Sequence, residues 1–364
     1  MSAVTSPPGA MAGSATLSPA RFPFRVERFS SRWRALRVVG AVAMVALLIV
    51  PELVLPFLER GEWTKIIALS VALWGLVLLL GPAGQLSLGH GAFMGFGAFF
   101  TGIFATRYDM PVFLALVPVA LLGFAFGALV GLPALRVRGQ YLAMVTLAVA
   151  VAFPQVIQRF SWYTGGASGP APIADQLAPG WLSFLRDHTW LHLQICAVAV
   201  VAWLMVRNVL NSATGRAIKA AAANEDAAAA MGIPVGRTLT LTYGFGSMLG
   251  AIGGGLWVIQ VRGVSTDEFD VLRSIILYAV VVFGGSSSLG GACMGAVLFV
   301  SAGWLIAKFG WRFSPNMIYA VVLLAVTAFF SGGLAEAVSK VLRKVVIIVD
   351  PIPDPVSPPA IADS

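Results

Sequence analysis

Charged side chains are scarce in this chain. Only 11% of its 364 residues are Asp, Glu, Lys or Arg, whereas 58% are hydrophobic. A soluble protein of this length carries about twice that charged fraction. Hydrophobic runs of about 20 residues recur, and each is long enough to cross a hydrocarbon layer about 30 Å thick. The composition therefore excludes a soluble globular protein and predicts an all-α integral membrane protein.

Cysteine and histidine are also rare. Cys196 and Cys293 both lie in hydrophobic runs, so we expect them to pack rather than to form a disulfide framework. His188 and His192 stand four residues apart, a spacing that can place two metal ligands on one helix face. With no further ligand recognised nearby, we expect the start of an interfacial helix there, no metal site and no bound cofactor.

Motifs of covalent and nucleotide chemistry are missing from the sequence. It contains no phosphate loop ending in Gly-Lys-Ser/Thr, no His-Glu-x-x-His and no Gly-x-Ser-x-Gly. The net charge of +8 comes from basic residues that flank hydrophobic runs, a pattern that sets membrane topology. We therefore expect no enzymatic activity in this chain and no nucleic-acid partner.

The hydrophobic runs predict about ten membrane-spanning helices. They lie near residues 38–57, 66–82, 88–106, 112–134, 140–160, 190–207, 238–260, 271–284, 290–309 and 316–335. The first run is too long for the core of a cleaved signal peptide. Residues 38–335 are thus expected to form the membrane domain, between a disordered, basic N-terminal segment (1–37) and a tail (336–364). Lysines and arginines are concentrated in segments that place both termini in the cytoplasm.

Residues 81–98 interrupt this pattern with Pro82 and several glycines. A straight helix is unfavourable there, so the sequence predicts a broken or re-entrant helix, whose freed N–H groups can bind an anion. His90 lies in a predicted span, where it either takes part in solute or proton movement or hydrogen-bonds a carbonyl. The candidate pathway residues are Gly84, Gln85, Ser87, Gly89, His90 and Gly91.

A second glycine-rich stretch, residues 288–295, resembles residues 87–95 with one residue dropped. Paired interrupted segments are typical of transport pathways. Both stretches are also drawn mainly from Gly, Ala and Ser, so composition alone can produce the match. The sequence leaves both interpretations open.

The longest polar segment within the membrane domain is residues 208–237. Its many alanines favour helix, and the polar residues 224–226 interrupt it, so two short helices with a bend are predicted. Gly215 and Gly232 are expected to mark the two ends. An amphipathic helical pair at a membrane surface suits the docking of a soluble motor subunit. The candidate coupling residues are Gly215, Arg216, Lys219, Asn224, Glu225, Ala228, Met231 and Gly232.

The chain resembles the permeases of ATP-binding-cassette importers that serve branched-chain amino acids and urea. The resemblance covers about residues 66–335, and its specific motifs are Gly-Gln-Leu-Ser-Leu-Gly-His at 84–90 and the Gly-Arg-Ala to Met-Gly-Ile run at 215–233. The chain departs from the family pattern at Ala229, usually an acid, at Ala292, usually a proline, and at residues 330–334, which replace Arg-Pro-x-Gly-Leu.

The resemblance implies a permease subunit that moves a small polar solute into the cytoplasm. Branched-chain amino acids are the first expectation, and urea or short amides are the alternative. It also implies a second permease subunit, two cytoplasmic ATPases that bind the ATP, and an extracytoplasmic substrate-binding protein, assembled in the plasma or inner membrane. An ion-coupled secondary transporter is the rival, but such proteins carry more ionisable residues inside their spans.

Two loops are expected on the extracytoplasmic side. The Thr-Gly-Gly-x-x-Gly run at 164–169 resembles the loop after the fifth span in the importer family, where it either lines the mouth of the pore or forms a turn. Asp267, Glu268 and Asp270 form an acidic cluster. We expect this cluster to be part of a solvated loop, with contact to a binding protein as the alternative.

Overall fold

The structure, a computed structural model, describes residues 60–132, 140–170 and 187–309, together with two short strands. The chain divides into one unit of residues 41–338 and another of residues 1–40 and 339–364. In the latter, β1 (Phe24–Glu27) and β2 (Val346–Val349) pair in parallel. The predicted spans at 38–57 and 316–335 lie outside the described residues. The disorder expected for the terminal segments stays a prediction.

The described part of the larger unit is helical. Its helices are α1 (Arg60–Leu80), α2 (His90–Arg107), α3 (Val112–Gly131), α4 (Gln140–Arg159), α5 (Ser161–Thr164), α6 (Asp187–Asn211), α7 (Ala213–Ala223), α8 (Glu225–Ala230), α9 (Val235–Val261), α10 (Val271–Gly284) and α11 (Leu289–Phe309). Two 3₁₀ turns, Gly166–Ser168 and Thr266–Phe269, complete it. Helices α1, α3, α4, α6, α9 and α11 are long and apolar enough to cross a membrane. The predicted all-α membrane fold is confirmed.

Helices α2 and α10 begin inside the bundle. His90, the first residue of α2, places its Nε2 2.8 Å from the carbonyl oxygen of Ala72, well inside α1. The next residue, Gly91, donates its N–H to Ser274 Oγ of α10 at 3.0 Å. Helix α10 has 14 residues and is therefore about 21 Å long, too short to cross the hydrocarbon layer. The break predicted within residues 81–98 is confirmed, because helix is absent from 81–89.

Helix α9 is the centre of the unit and packs on α1, α2 and α3. Gly123, Gly127 and Gly131 of α3 face α9, whose Tyr243, Ser247 and Ala251 repeat at the same spacing of four. On another side of α9, a Cβ at Gly254 would overlap the backbone carbonyl of Met94 in α2. These small residues therefore bring helix backbones close together, as is usual in lipid.

Burial separates central from peripheral helices. The apolar windows of α1 and α9 are 83% and 78% buried, whereas those of α4 and α6 are each 28% buried. The peripheral helices turn side chains such as Tyr141, Met144 and Val201 outward. In a membrane protein such faces meet lipid or another subunit, so α1 and α9 form the core of the unit.

Candidate functional site

Residues 212–234 form a capped helical pair at one end of the bundle, called here the 212–234 loop. Ser212 is the N-cap of α7, and its Oγ accepts the N–H of Gly215. Asn224 both ends α7 and caps α8, since its Oδ1 accepts the N–H of Ala227 at 2.9 Å. Its extended backbone produces the bend. The prediction of two short helices with a bend at residues 224–226 is confirmed.

The two glycines of this loop have different roles. Gly232 follows α8 with φ +81°, while the N–H of Ile233 reaches the carbonyl of Ala228, so Gly232 closes the helix end as predicted. Gly215 does not mark an end, and that expectation was wrong. It lies inside α7, where a Cβ would overlap the carbonyl of Leu210. Close approach of the chain to the end of α6 is what requires glycine there.

The loop turns a small apolar face inward and a polar face outward. Among the candidate coupling residues, Gly215 and Ala228 are buried and Glu225 is half-buried. The remaining candidates are exposed, namely Arg216, Lys219, Asn224, Met231 and Gly232. Met231 is 69% exposed, an unusual position for a large apolar side chain. This face has the mixed character of a docking surface.

The break at 81–89 is held by hydrogen bonds to three different helices. Gln85 donates its N–H to the carbonyl of Leu79 at 2.8 Å, which follows the left-handed turn at Gly84. Ser87 Oγ lies 2.8 Å from the hydroxyl of Tyr243 in α9. The N–H of Leu88 donates to Thr146 Oγ1 in α4. These bonds satisfy the irregular backbone inside the protein, which is what a membrane environment requires.

His90 packs as a structural residue in this arrangement. Its side chain is fully buried, its Nε2 hydrogen-bonds Ala72, and its ring meets Phe93 edge to face. The sequence left open whether His90 takes part in solute or proton movement or hydrogen-bonds a carbonyl. The geometry shows the hydrogen bond to a carbonyl. The carbonyl belongs to the neighbouring helix α1 and not to the break itself.

The 212–234 loop and the break touch each other. A Cβ built on Gly84 would lie 3.6 Å from the Cβ of Ala222 in α7. On its other side, the break approaches the turn before α11, where Gly81 meets Ser286. The structure therefore joins the two candidate sets that the sequence separates by more than 100 residues. No local pattern could have shown this contact.

The two similar glycine-rich stretches use their serines differently. Ser288 Oγ accepts the N–H of Gly291 and so caps α11. Ser87, at the matching position of the first stretch, bonds Tyr243 instead. Both stretches contain the start of a helix, at His90 and at Leu289. What the two stretches have in common is thus the N-terminus of a helix. A common role in a transport pathway stays a prediction.

The acidic cluster at 267–270 is not simply a solvated loop. Asp267 is exposed, but Glu268 Oε1 accepts the indole N–H of Trp257 at 2.7 Å. Asp270 caps α10 by accepting the N–H of Arg273 at 2.9 Å. The expectation of a solvated loop was wrong for these two acids, because the segment folds into the bundle between α9 and α10.

Sequence analysis missed Arg273. The guanidinium lies 4.8 Å above the ring of Trp257 and 5.4 Å from the ring centroid of Phe299, with Glu268 at 3.7 Å. One signal was present, since Arg273 is the one charged residue in the predicted span 271–284. The rule that ionisable residues inside a membrane deserve a functional hypothesis applies to it more than to His90.

His192 has protein partners of its own. Its Nδ1 lies 2.9 Å from Thr64 Oγ1 of α1, and its Nε2 lies 3.3 Å from Cys196 Sγ. Cys196, one turn further along α6, thus contacts the imidazole that the sequence pairs with His188. No group of three metal-ligating side chains occurs among the described residues. The side chain of His188 lies outside them.

The Thr-Gly-Gly run at 164–169 is a tight turn. Gly165, Gly166 and Gly169 all have positive φ, and Thr164 Oγ1 donates to the carbonyl of Ile157 and accepts the N–H of Gly166. The turn reading is confirmed. Whether it also lines a pore mouth stays a prediction.

The side chains of Ser87 and Tyr243, which share a buried hydrogen bond, are expected to stabilise the protein jointly. Ser87→Ala and Tyr243→Phe should each destabilise the protein. A double-mutant cycle of the two substitutions should yield a coupling free energy of about 0.6 kcal/mol, typical of hydrogen bonds between membrane helices. Thermal unfolding of the purified single and double variants measures it. Tyr141→Phe is the control, since Tyr141 is 67% exposed. Additive effects of the two substitutions would show that the bond does not hold the break to α9.

Comparison with known proteins identifies relatives. The family model for the permease component of branched-chain amino acid transport systems matches residues 63–332. The high-affinity branched-chain amino acid transport system permease proteins LivM of Escherichia coli and Salmonella typhimurium are each 27% identical over 271 residues, 69% of this chain and 64% of theirs. The probable LivM of Methanocaldococcus jannaschii is 24% identical over 237 residues, 61% of this chain and 67% of its own. No solved structure matches the chain.

Proposed function

This chain belongs to the family of permease components of branched-chain amino acid transport systems, and on that premise we propose that it is the membrane permease subunit of an ATP-driven importer of branched-chain amino acids. The family match carries the proposal, and the transport function named for the LivM relatives supports the choice of solute. The chain spans 64% of the length of the first two of these relatives. We therefore also propose its substrate, its partner subunits and the inward direction of transport.

The 212–234 loop is the proposed docking element for a cytoplasmic ATPase. Its exposed face combines Arg216, Lys219 and Met231, while Ile218 and Ala221 attach it to the bundle. An element that packs on the bundle with one face and binds a soluble partner with its polar face can pass a movement of that partner to the bundle. The proposal therefore places this end of the bundle, and both termini of the chain, on the cytoplasmic side.

The contact between Gly84 and Ala222 offers a short route from that loop to the membrane interior. A movement of α7 would reach the break at 81–89 directly, and the break leads into the N-terminus of α2. The candidate pathway residues from Gly84 to Gly91 lie along this route. We propose that ATP binding by the partner shifts α7, and that the break and α2 move with it, opening the pore to one side. A second permease subunit would complete the pore.

Co-purification tests the proposal first. A tagged chain, extracted with mild detergent from its native membrane, should recover a cassette ATPase and a second permease subunit. Scrambling residues 215–232 should remove the ATPase, because the docking face is lost, while the chain still inserts. Mass spectrometry of the purified material measures both results.

A matched control scrambles the turn residues 161–168 at the opposite end of the bundle, which should leave the ATPase bound. The recovered complex, reconstituted with its binding protein, should import leucine rather than urea. Recovery of a stable chain without an ATPase, with solute uptake driven by an ion gradient, would overturn the proposal.

A further inference from the structure

Helix α4 has one exposed side that runs along its whole length. The residues on it repeat at intervals of three and four, the spacing of one helix face, and each of them is exposed. They are Tyr141, Met144, Ala148, Ala152, Gln155 and Arg159, called here the α4 stripe. Since α4 is long and apolar enough to cross a membrane, the central part of the α4 stripe lies at the depth of the lipid tails.

Two features make the α4 stripe a poor surface for lipid. Gln155 lies about 6 Å along the axis from the last residue of α4, and no described residue hydrogen-bonds its side chain. Lipid tails cannot bond an amide either, so its exposure to them costs free energy. At the middle of α4, Ala148 and Ala152 leave a shallow strip one turn long. Small residues and amides of this kind are typical where two membrane helices meet.

The exposed side of α3 has a different character. Its exposed residues are all apolar, and all but one are large: Leu114, Val117, Leu121, Leu122, Ala125 and Leu129. Large aliphatic side chains pack well against lipid tails and need no hydrogen bond. Helix α3 therefore has a surface suited to lipid, whereas α4 has a surface suited to another helix.

Resting on the proposed function, we infer that the α4 stripe is the docking surface for the second permease subunit. The partner that fits is a membrane helix with two properties. It comes close to the backbone of α4 at Ala148 and Ala152, and it presents a hydrogen-bonding side chain at the depth of Gln155. The proposed function requires a second permease, and this inference assigns the place at which that subunit binds.

The buried side of α4 connects this surface to the break. Thr146 Oγ1 accepts the N–H of Leu88 at 2.9 Å, and a Cβ built on Gly89 would lie 3.3 Å from the Cβ of Thr146. The candidate pathway residues are thus separated from the α4 stripe by the thickness of one helix, about 10 Å. A subunit docked on the α4 stripe would therefore lie beside the break, where a pore shared by two permeases needs it.

Arg159 favours a partner of a different sequence. In a pair of identical chains, a two-fold axis along the membrane normal would bring the two α4 stripes together at equal depth. The two Arg159 side chains would then lie on facing helices, and like charges repel. A second permease with a neutral or acidic side chain at that depth avoids the repulsion. The α4 stripe therefore suits a different permease chain better than a second copy.

Photo-crosslinking at two matched positions tests the inference. Met144 on the α4 stripe and Leu129 on α3 are 64% and 63% exposed, and each lies within about 6 Å of the helix end that faces residues 132–139. In native membranes, p-benzoylphenylalanine in place of Met144 should link the tagged chain to the second permease subunit. In place of Leu129 it should give no such adduct, because lipid covers that side. Mass spectrometry identifies the linked protein.

Added side-chain volume gives a second test with a matched control. Ala152→Leu should lower the recovery of the second permease subunit about tenfold, because the extra atoms hold the two helices apart. Ala125→Leu adds the same volume to the exposed side of α3 and should leave the recovery unchanged. Thermal midpoints of the purified chains show whether each variant is folded.

Replacement of the amide separates docking from exposure to lipid. Gln155→Leu should lower the recovery of the second subunit about threefold, since a hydrogen bond between helices is lost. Gln155→Asn keeps an amide and should recover more of the subunit than the leucine variant does. On a surface that faced lipid, leucine would be more favourable than glutamine, and the recovery would not fall.

Three results would overturn the inference alone. The first is an adduct between Met144 and a second copy of this chain. The second is the absence of a protein adduct at Met144 in a complex that contains the second permease. The third is undiminished recovery of that subunit with a folded Ala152→Leu variant. Failure of the wild-type chain to recover any ATPase or second permease would instead overturn the proposed function, and this inference with it.

Discussion

Gly254→Ala should strongly lower the thermal stability of the protein. A Cβ at Gly254 would overlap the backbone carbonyl of Met94, and the reciprocal Gly97 meets the carbonyl of Ala251 in the same way. Backbone atoms cannot move aside as a side chain can, so α2 and α9 must separate. Overpacking of this kind costs about 1–3 kcal/mol, and Gly254→Leu should abolish folding.

Gly290→Ala is the matched control for this prediction. Gly290 is also a helical glycine, but the nearest atom to its Cβ would be Ser288 Oγ at 3.8 Å, an ordinary contact. Alanine should not destabilise α11 at this position, in the first turn of the helix. Thermal unfolding of both variants by size-exclusion chromatography measures the difference. Equal midpoints would show that α2 and α9 are not in backbone contact.

The close crossing of α2 and α9 matters for the site because it sets where α2 begins. With Gly254 against Met94, the first turn of α2 is brought to Ala72 and Ser274. A displaced α2 would lose both hydrogen bonds. Transport should therefore fail in Gly254 variants even where some chain still folds.

Gly232→Val should uncouple ATP hydrolysis from transport while leaving insertion into the membrane intact. Gly232 has φ +81° and no atom within 4 Å of its Cβ position. A β-branched residue is therefore opposed by its backbone conformation and not by lack of space. Left-handed backbone costs other residues about 1–2 kcal/mol, enough to shift the end of α8. We expect leucine uptake by the reconstituted complex to fall about tenfold or more.

Gly232→Asn is the control for this effect, because asparagine tolerates left-handed backbone while still adding a side chain. It should keep both ATPase stimulation and uptake. If the valine variant transports normally, the 212–234 loop is not the coupling element. If valine and asparagine fail alike, the partner contacts Gly232 itself, and the conformation is not the cause.

Residues close together in the chain explain most of what could be predicted. The alanine-rich segment with polar residues at 224–226 forms two helices, because Ser212 and Asn224 cap them locally. The break before His90 follows from Pro82 and the neighbouring glycines, which oppose a straight helix. Eight of the predicted spans correspond to described helices for the same reason, since an apolar run in lipid must satisfy its own backbone.

Contacts between distant residues explain what could not be predicted. Arg273 and the acidic cluster belong to one folded segment only because α9, α10 and α11 converge there. The sequence shows an acidic stretch next to an apolar run, which is equally typical of a solvated loop. His192 likewise meets Thr64, 128 residues away in the chain and on another helix.

Local patterns were thus enough to predict an all-α membrane protein with a polar helical pair within residues 208–237 and a break before α2. Those features depend on hydropathy, helix propensity and capping, which act within a few residues. The contact between the loop and the break at Gly84, and the position of Arg273 beside Phe299, emerged from the packing of the helices. Both depend on how glycine-lined helices cross, and a single helix does not encode which partner its glycines will meet.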